Sequence, residues 1–131
     1  MSSLVYTFNY TSVYDPPFPT AEVWLSVPDL PQDEQAVTAL LDSGSDGSLI
    51  PLDVIESLGA IRTDKVRIRG LFGGSSLVYL YLVNLRVGPH RLHKVEVAAV
   101  ERRGEALIGR NVLNRFAVLL DGPANAVEIP A

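Results

Sequence analysis

Short segments rich in β-branched and aromatic residues run along most of this chain, and proline, glycine and other turn-forming residues separate them. Such segments suit the pleated surface of a sheet, so their repetition predicts a mostly β architecture. The predicted strands are residues 4–14, 21–27, 36–41, 66–72, 77–87, 93–100, 106–109, 116–120 and 126–129. Two successive hairpins explain the spacing from 66 to 100 best.

Two short helices interrupt this pattern. Residues 51–59 begin with Pro51, space their apolar residues as a helix does and finish on Gly59. Residues 110–115 predict a further helical turn. At 131 residues and 47% hydrophobic, the chain has the size of one domain and enough apolar surface for a core.

The expected single domain spans residues 1–131. Its parts would be an N-terminal extension or strand over 1–19, a central region over 20–120 and a C-terminal hairpin over 116–129.

Charge and composition argue against several classes of partner. The net charge is −4, and basic residues are scattered apart from Lys65-Arg67-Arg69 and Arg102-Arg103, so we expect no nucleic-acid binding. No signal peptide or apolar run long enough to span a bilayer is seen, so we expect a cytoplasmic protein without membrane contact.

Metal and cofactor chemistry also lacks support in the sequence. The chain contains no cysteine, which excludes disulfides, thiolate zinc sites and a cysteine nucleophile. His90 and His93 lack a nearby third ligand, and we expect them in a solvated turn rather than in a metal site. We expect neither a metal nor a cofactor.

The segment Leu-Leu-Asp-Ser-Gly-Ser-Asp at 40–46 places Asp42 directly after a predicted strand, followed by small residues that let the backbone turn tightly. An Asp-Ser-Gly tripeptide by itself usually marks only a turn, because Asp and Ser cap local backbone groups and Gly accepts positive φ. Neighbouring motifs therefore decide how Asp42 is interpreted.

This segment resembles the active-site segment of the retropepsin-like aspartic proteases, and two further motifs extend the resemblance. Residues 106–113, Ala-Leu-Ile-Gly-Arg-Asn-Val-Leu, resemble the family's second motif, an apolar strand ending in Gly before a short helix. Residues 68–74 occupy the place of the flap, a glycine-rich hairpin over the substrate. Order and spacing match over roughly residues 20–120.

The resemblance implies a closed β-barrel with one or two short helices, acting as a C2 homodimer that cleaves a peptide or protein substrate. Asp42 would be catalytic, Ser43 would bond across the dimer axis, and Asp46 would contact the substrate backbone and pair with Arg110. The implied substrate-binding residues are Gly44, Asp46, Leu71, Phe72, Gly73 and Gly74, and the second motif would contribute Gly109, Arg110 and Asn111 as structural residues. Gly44 would also support the active-site loop.

The chemistry of this family explains the need for two subunits. Two carboxylates share one proton and activate a water between them, because like charges so close cannot both ionise. This chain carries Asp-Ser-Gly once and is too short for a two-lobed arrangement, so a second Asp42 must come from another copy.

The chain ends depart from the viral members, which dimerise through short interleaved terminal strands, and look more like those of cellular and bacterial relatives. The dimer interface is therefore open, with Tyr6, Phe8 and Tyr10 as candidates for it.

Two alternatives remain. The same fold could be a non-catalytic module that binds or assembles extended peptides. Residues 42–53 also imitate a calcium loop, with Gly47 in the sixth place, although Gly44 offers no side-chain ligand in the third.

Overall fold

The computed structural model describes residues 4–69, 75–101 and 105–131. Within these ranges the elements are β1 (Val5–Thr11), β2 (Phe18–Ser26), β3 (Gln35–Leu41), β4 (Leu49–Pro51), α1 (Leu52–Leu58), β5 (Arg62–Arg69), β6 (Ser75–Val87), β7 (His90–Val100), β8 (Ala106–Ile108), α2 (Arg110–Leu113), β9 (Leu119–Asp121) and β10 (Ala126–Pro130). Sheet therefore dominates, and the two helices are short.

Six strands close into a barrel in the order β6-β7-β4-β8-β3-β2, with β2 pairing back onto β6. The β3–β8 and β4–β7 pairs are parallel, and the other four are antiparallel. At one end of the sheet β5 continues from β6, and at the other β1, β10 and β9 continue from β2. The predicted fold class, a mostly β closed barrel with two short helices, is confirmed.

The strand β4 is the element that the sequence does not predict. It is only three residues long, and it pairs with β7 at Ile50↔Ala99 and with β8 at Leu49↔Leu107. Both partners lie far away in sequence, so no local pattern predicts the strand. Its pairings join β7 to β8 and complete the barrel wall immediately after the Asp42 segment.

Helix α1 begins and ends next to the residues that the sequence predicts. Pro51 occupies the N-cap position, and Gly59 ends the helix in the left-handed conformation, at φ 71°. That conformation favours glycine because a Cβ would be strained there.

Some local predictions are wrong. Residues 12–14, predicted as the end of the first strand, follow β1, which ends at Thr11. Residues 116–118, predicted as strand, precede β9, which begins at Leu119. His90 belongs to β7 rather than to a solvated turn: it is half-buried, its Nε2 lies 2.9 Å from the Pro130 carbonyl oxygen, and its ring stacks on Phe116 at 4.7 Å. His93 is exposed.

The core lies inside the barrel and beneath the terminal strands. Its largest fully buried side chains are Leu25, Ile50, Ile55, Leu85, Ile108, Ile129, Val23, Val83, Val87, Val97, Val112 and Val127. Along the strands these alternate with more exposed residues, as expected when one face of each strand is covered. Among the described residues, no helix combines the length and apolar character needed to cross a membrane.

One ion pair ties the loop before β3 to the barrel. The Arg86 guanidinium donates two hydrogen bonds to Glu34, at 2.9 Å and 3.0 Å, and Arg86 also lies over the ring of Trp24. Arg91 approaches the same carboxylate at 4.0 Å. Hydrogen bonding from Arg86 holds the pKa of Glu34 below its ordinary value, against a smaller opposing effect of burial.

Candidate active site

Asp42 lies where β3 leaves the sheet. Its N–H donates to the Ile108 carbonyl at 2.9 Å, and Ser45 N–H closes the turn onto the Asp42 carbonyl at 3.2 Å. The half-buried carboxylate accepts a hydrogen bond from the Gly44 N–H through Oδ1, at 2.9 Å. A Cβ on Gly44 would lie 3.0 Å from the same oxygen. The turn therefore orients the carboxylate through backbone contacts.

No cation neutralises this carboxylate within the described part of the chain, where neither Asp42 nor Asp46 forms an ion pair. The Asp46–Arg110 pair that the resemblance implies is accordingly not formed. Arg110 instead donates through Nη1 to the carbonyl oxygen of Ser43, at 2.8 Å. This contact holds the backbone next to Asp42 and leaves the acid itself available.

The second motif packs directly against this turn. A Cβ added to Gly109 would lie 2.1 Å from the Gly47 carbonyl oxygen and 2.7 Å from that of Ser45, which no real side chain tolerates. The Arg110 N–H donates to the Ser45 carbonyl at 2.8 Å. Gly109 is therefore required by close backbone contact between two segments that are distant in sequence.

Ser48 is the site residue that the sequence analysis missed. Its side chain is buried, at 2% exposure; its Oγ accepts from the Gly109 N–H at 3.0 Å and donates to Asn111 Oδ1 at 2.7 Å. Asn111 Nδ2 donates in turn to the Glu96 carbonyl at 3.0 Å. The only hint in the sequence is a hydroxyl residue directly before an apolar pair, which is too common to identify such a role.

An apolar row runs across the barrel wall beside Asp42. It comprises Leu40, Leu107, Leu49, Ala98 and Leu80, which are consecutive register partners on β3, β8, β4, β7 and β6. The row is buried or half-buried but stands outside the core cluster, which takes the alternate residues of these strands. Leu40 precedes Asp42 by two residues, and such residues share a face of a strand. The carboxylate therefore adjoins this apolar row, in which Leu40 and Ala98 are buried and Leu49, Leu80 and Leu107 are half-buried.

The other predicted site residues fall into two groups. Ser43, Gly44 and Asp46 are exposed on the turn, and the Ser43 hydroxyl makes no hydrogen bond within the described residues. Leu71, Phe72, Gly73 and Gly74 lie outside the described residues. The strands that flank them, β5 and β6, form the predicted hairpin.

The calcium-loop alternative is not supported by the surroundings of this turn. Strands β3 and β4 flank it, whereas the calcium-binding loop of that pattern lies between two helices. In the described parts of the chain, no three histidine, cysteine, aspartate or glutamate side chains group as metal ligands would.

Comparison with known proteins agrees with this geometry. A family model described as aspartyl protease matches residues 30–112, a stretch that contains the Asp42 turn and all but the last residue of the second motif. None of the curated proteins compared with the chain matches it in sequence.

Three similar solved structures show the same fold. A retropepsin-like aspartic protease from Rickettsia conorii has a TM-score of 0.64 and 11% identity, covering 99% of this chain and 94% of that one. EIAV protease in complex with the inhibitor HBY-793 has a TM-score of 0.58 and 20% identity, covering 75% and 86%. Simian foamy virus protease has a TM-score of 0.54 and 16% identity, covering 72% and 91%.

The family model spans well over half of the chain, and the barrel, the two short helices and the packing of the second motif beneath the Asp42 turn are all in place. The chain therefore belongs to the aspartyl protease family, with a retropepsin-like fold.

Proposed function

We propose that this protein is an aspartic endopeptidase whose active site forms between two copies of the chain, each contributing Asp42. The observation that carries the proposal is the state of that carboxylate. It is half-buried, oriented by the Gly44 N–H, not paired with a cation in the described residues and bordered by an apolar surface.

The reaction follows from two such carboxylates facing each other. The ionised Asp42 removes a proton from a water whose oxygen attacks the scissile carbonyl carbon, while the protonated Asp42 donates a hydrogen bond to the carbonyl oxygen. Collapse of the tetrahedral intermediate breaks the C–N bond, and the leaving nitrogen takes up the proton that Asp42 removed from the water. The two roles belong to the pair rather than to either copy.

The hydrogen bond from Gly44 distinguishes the two oxygens of each Asp42 carboxylate. Because Oδ1 accepts the Gly44 N–H, Oδ2 is the oxygen left to face the water and the second copy. The exposed Ser43 next to it is suited to contact the other subunit, and Arg110 restrains its carbonyl from behind. A two-fold axis through the site makes these contacts self-complementary.

The substrate is an extended peptide with apolar side chains next to the scissile bond. The half-buried members of the apolar row, Leu49, Leu80 and Leu107, supply the surface for those side chains. Gly44 and Asp46 on the turn would contact the peptide backbone. Residues 71–74 of the hairpin would cover it.

The first prediction is that Asp42→Asn lowers kcat/KM for peptide cleavage by about 10³-fold or more, because the amide can neither accept nor donate the shared proton. The melting temperature should change little. A peptide library incubated with and without a statine-type inhibitor, and analysed by mass spectrometry, first identifies the cleaved peptides.

Asp53→Asn is the control, because it makes the same substitution at an exposed carboxylate located in α1 rather than in the turn. We expect it to retain activity. Inhibitor-sensitive cleavage that survives Asp42→Asn would refute the catalytic assignment. Peptide binding by the wild-type protein without any cleavage would indicate a binding module instead.

A further inference from the structure

The two terminal strands of this chain already pair with each other. β1 runs antiparallel to β10 from Val5↔Pro130 to Asn9↔Ala126, and the Ala131 N–H donates to the Leu4 carbonyl at 2.9 Å. Of Tyr6, Phe8 and Tyr10, the expected candidates for a dimer interface, Phe8 and Tyr10 pack against the core of their own chain, whereas Tyr6 is 37% exposed. A second copy cannot exchange these strands without breaking the pairing inside each chain.

The next strand outward, β9, is an edge. It pairs with β10 on one side, from Ala126↔Asp121 to Glu128↔Leu119, and forms the end of the sheet in the described residues. An edge strand presents a row of unpaired N–H and C=O groups that can template another strand. Antiparallel pairing of the same strand from two copies satisfies a two-fold axis.

Two of the three side chains of this edge are apolar, and the third is Asp121. Leu119 is 53% exposed and Leu120 is 52% exposed, although they are neighbours on opposite faces of the strand. Leu120 is the register partner of the fully buried Val127, so its face continues the core. Proteins usually place charges or proline on an edge strand to prevent pairing. Two of the three residues of this edge are leucines, and its one charged residue, Asp121, accepts the Ala124 N–H of the following turn at 3.1 Å.

The strand at the opposite end of the sheet, β5, carries the charged residues that usually prevent an edge strand from pairing. β5 has the sequence Arg-Thr-Asp-Lys-Val-Arg-Ile-Arg, in which five of eight residues are charged. Two copies of such a strand repel each other. Of the two sheet edges among the described residues, β9 is the one suited to pair with itself.

The position of β9 along the chain links it to the candidate active site. Arg110 at the start of α2 contacts the Ser43 carbonyl, and only residues 114–118 separate α2 from β9. Phe116 in this short connection stacks on His90, which fixes its course. A contact made at β9 is therefore coupled to the backbone beside Asp42 through a short, anchored segment.

We infer that β9 is the dimerisation strand: β9 of two copies pairs antiparallel across the two-fold axis, burying Leu119 and Leu120 and joining two three-stranded sheets into one of six strands. This inference rests on the proposed function, because the shared active site is what requires a second copy. The surface is thus assigned to a partner identical to the chain itself.

Disulfide trapping tests the inference, because the chain contains no cysteine that would interfere. Paired residues of antiparallel strands have Cα atoms about 4.5–5.5 Å apart, within the range that a disulfide bridges. Leu119→Cys and Leu120→Cys are each oxidised at low protein concentration, and covalent dimer is measured by non-reducing electrophoresis. Leu30→Cys is the control, because Leu30 is similarly exposed, at 48%, in the β2–β3 loop.

We expect at least one β9 variant to form mostly covalent dimer and the Leu30 variant to form little. Leu120→Asp should shift the protein to monomer in sedimentation velocity and abolish cleavage without lowering the melting temperature, whereas Leu30→Asp should do neither. The trapping variants decide the question if Leu120→Asp fails to fold.

The outcomes separate the two proposals. An active dimer that neither β9 cysteine traps and that Leu120→Asp leaves intact overturns the β9 interface while the protease assignment stands. A trapped β9 dimer that cleaves no peptide overturns the protease assignment while the interface stands. Full activity from a strict monomer overturns both.

Discussion

The turn that carries Asp42 and the ion pair of Glu34 both depend on polar contacts, but of opposite kinds. Beneath Asp42 the contacts are neutral and buried: Ser48, Gly109 and Asn111 satisfy one another through single hydrogen bonds. Glu34 is instead held by two charged hydrogen bonds from Arg86, with about a quarter of each side chain exposed. The charge of Glu34 is neutralised by the bound arginine. The neutral groups beneath Asp42 position its carboxylate without neutralising it.

This difference predicts how much stability each kind of contact loses when one of its partners is substituted. A buried hydrogen-bond partner cannot be replaced by water, so its loss costs the full desolvation of the group left behind. A partly exposed ion pair exchanges its partner for water at little cost. Substitutions in the framework under Asp42 should therefore destabilise the protein more than substitutions in the ion pair.

The largest effect is expected for Gly109→Ala. Its methyl group would lie 2.1 Å from the Gly47 carbonyl oxygen, so the turn and β8 must separate. We expect the free energy of unfolding to fall by about 3 kcal/mol or more, measured by urea denaturation. Gly122→Ala, where nothing lies within 4 Å of the new Cβ, should change it little. Equal effects of the two substitutions would contradict the close packing of the two motifs.

Ser48→Ala should have an intermediate effect. It leaves the Gly109 N–H and Asn111 Oδ1 without the hydroxyl that joins them, at a cost of about 1–3 kcal/mol. Ser57→Ala is the matched control, because the Ser57 hydroxyl bonds Gln35 at an exposed position. Thermal or urea unfolding measures the loss of stability in both variants. An equal loss from Ser57→Ala and Ser48→Ala would contradict the expected difference between exposed and buried hydrogen bonds.

The smallest effect is expected for Glu34→Gln, below about 1 kcal/mol at neutral pH. Because Arg86 lowers the pKa of Glu34 from its ordinary value of 4.5, the ionised carboxylate stabilises the fold above that value. This stabilisation is lost as the pH falls through the lowered pKa. Unfolding measured from pH 7 downward should therefore show the wild-type and Glu34→Gln proteins converging in acid.

The exposed Glu56→Gln serves as control for the convergence, because Glu56 forms no ion pair within the described residues. A stability difference between wild type and Glu34→Gln that persists in acid would show that the ion pair is not its cause.

The sequence predicts those elements whose causes are local. Helix α1 is predicted from Pro51 and Gly59, and the β6–β7 hairpin from Gly88-Pro89. Proline fixes its own φ, and glycine accepts the positive φ that Gly59 and Gly88 adopt. The Asp42 turn and the second motif were recognised from their resemblance to a family. What the sequence could not supply depends on partners far along the chain: the pairing of β4, and the burial of Ser48 between Gly109 and Asn111.

The preference of Arg110 for the Ser43 carbonyl over Asp46 is a further case. Both acceptors lie within a few residues of each other on one turn, and sequence spacing cannot choose between them. Only the course of the backbone around Gly109 decides which oxygen the guanidinium reaches.

The parallel pairings on both sides of the Asp42 turn have a consequence for folding kinetics. β3 pairs with β8 and β4 with β7, so the two ends of the turn are fixed by segments from the other half of the chain. Contacts between such distant segments form slowly, because long loops must close first. We therefore expect the Asp42 amide, bonded to Ile108, to exchange with solvent only on global unfolding, and native-state hydrogen exchange can measure this. In such a chain the Asp42 turn is not assembled until the barrel is complete.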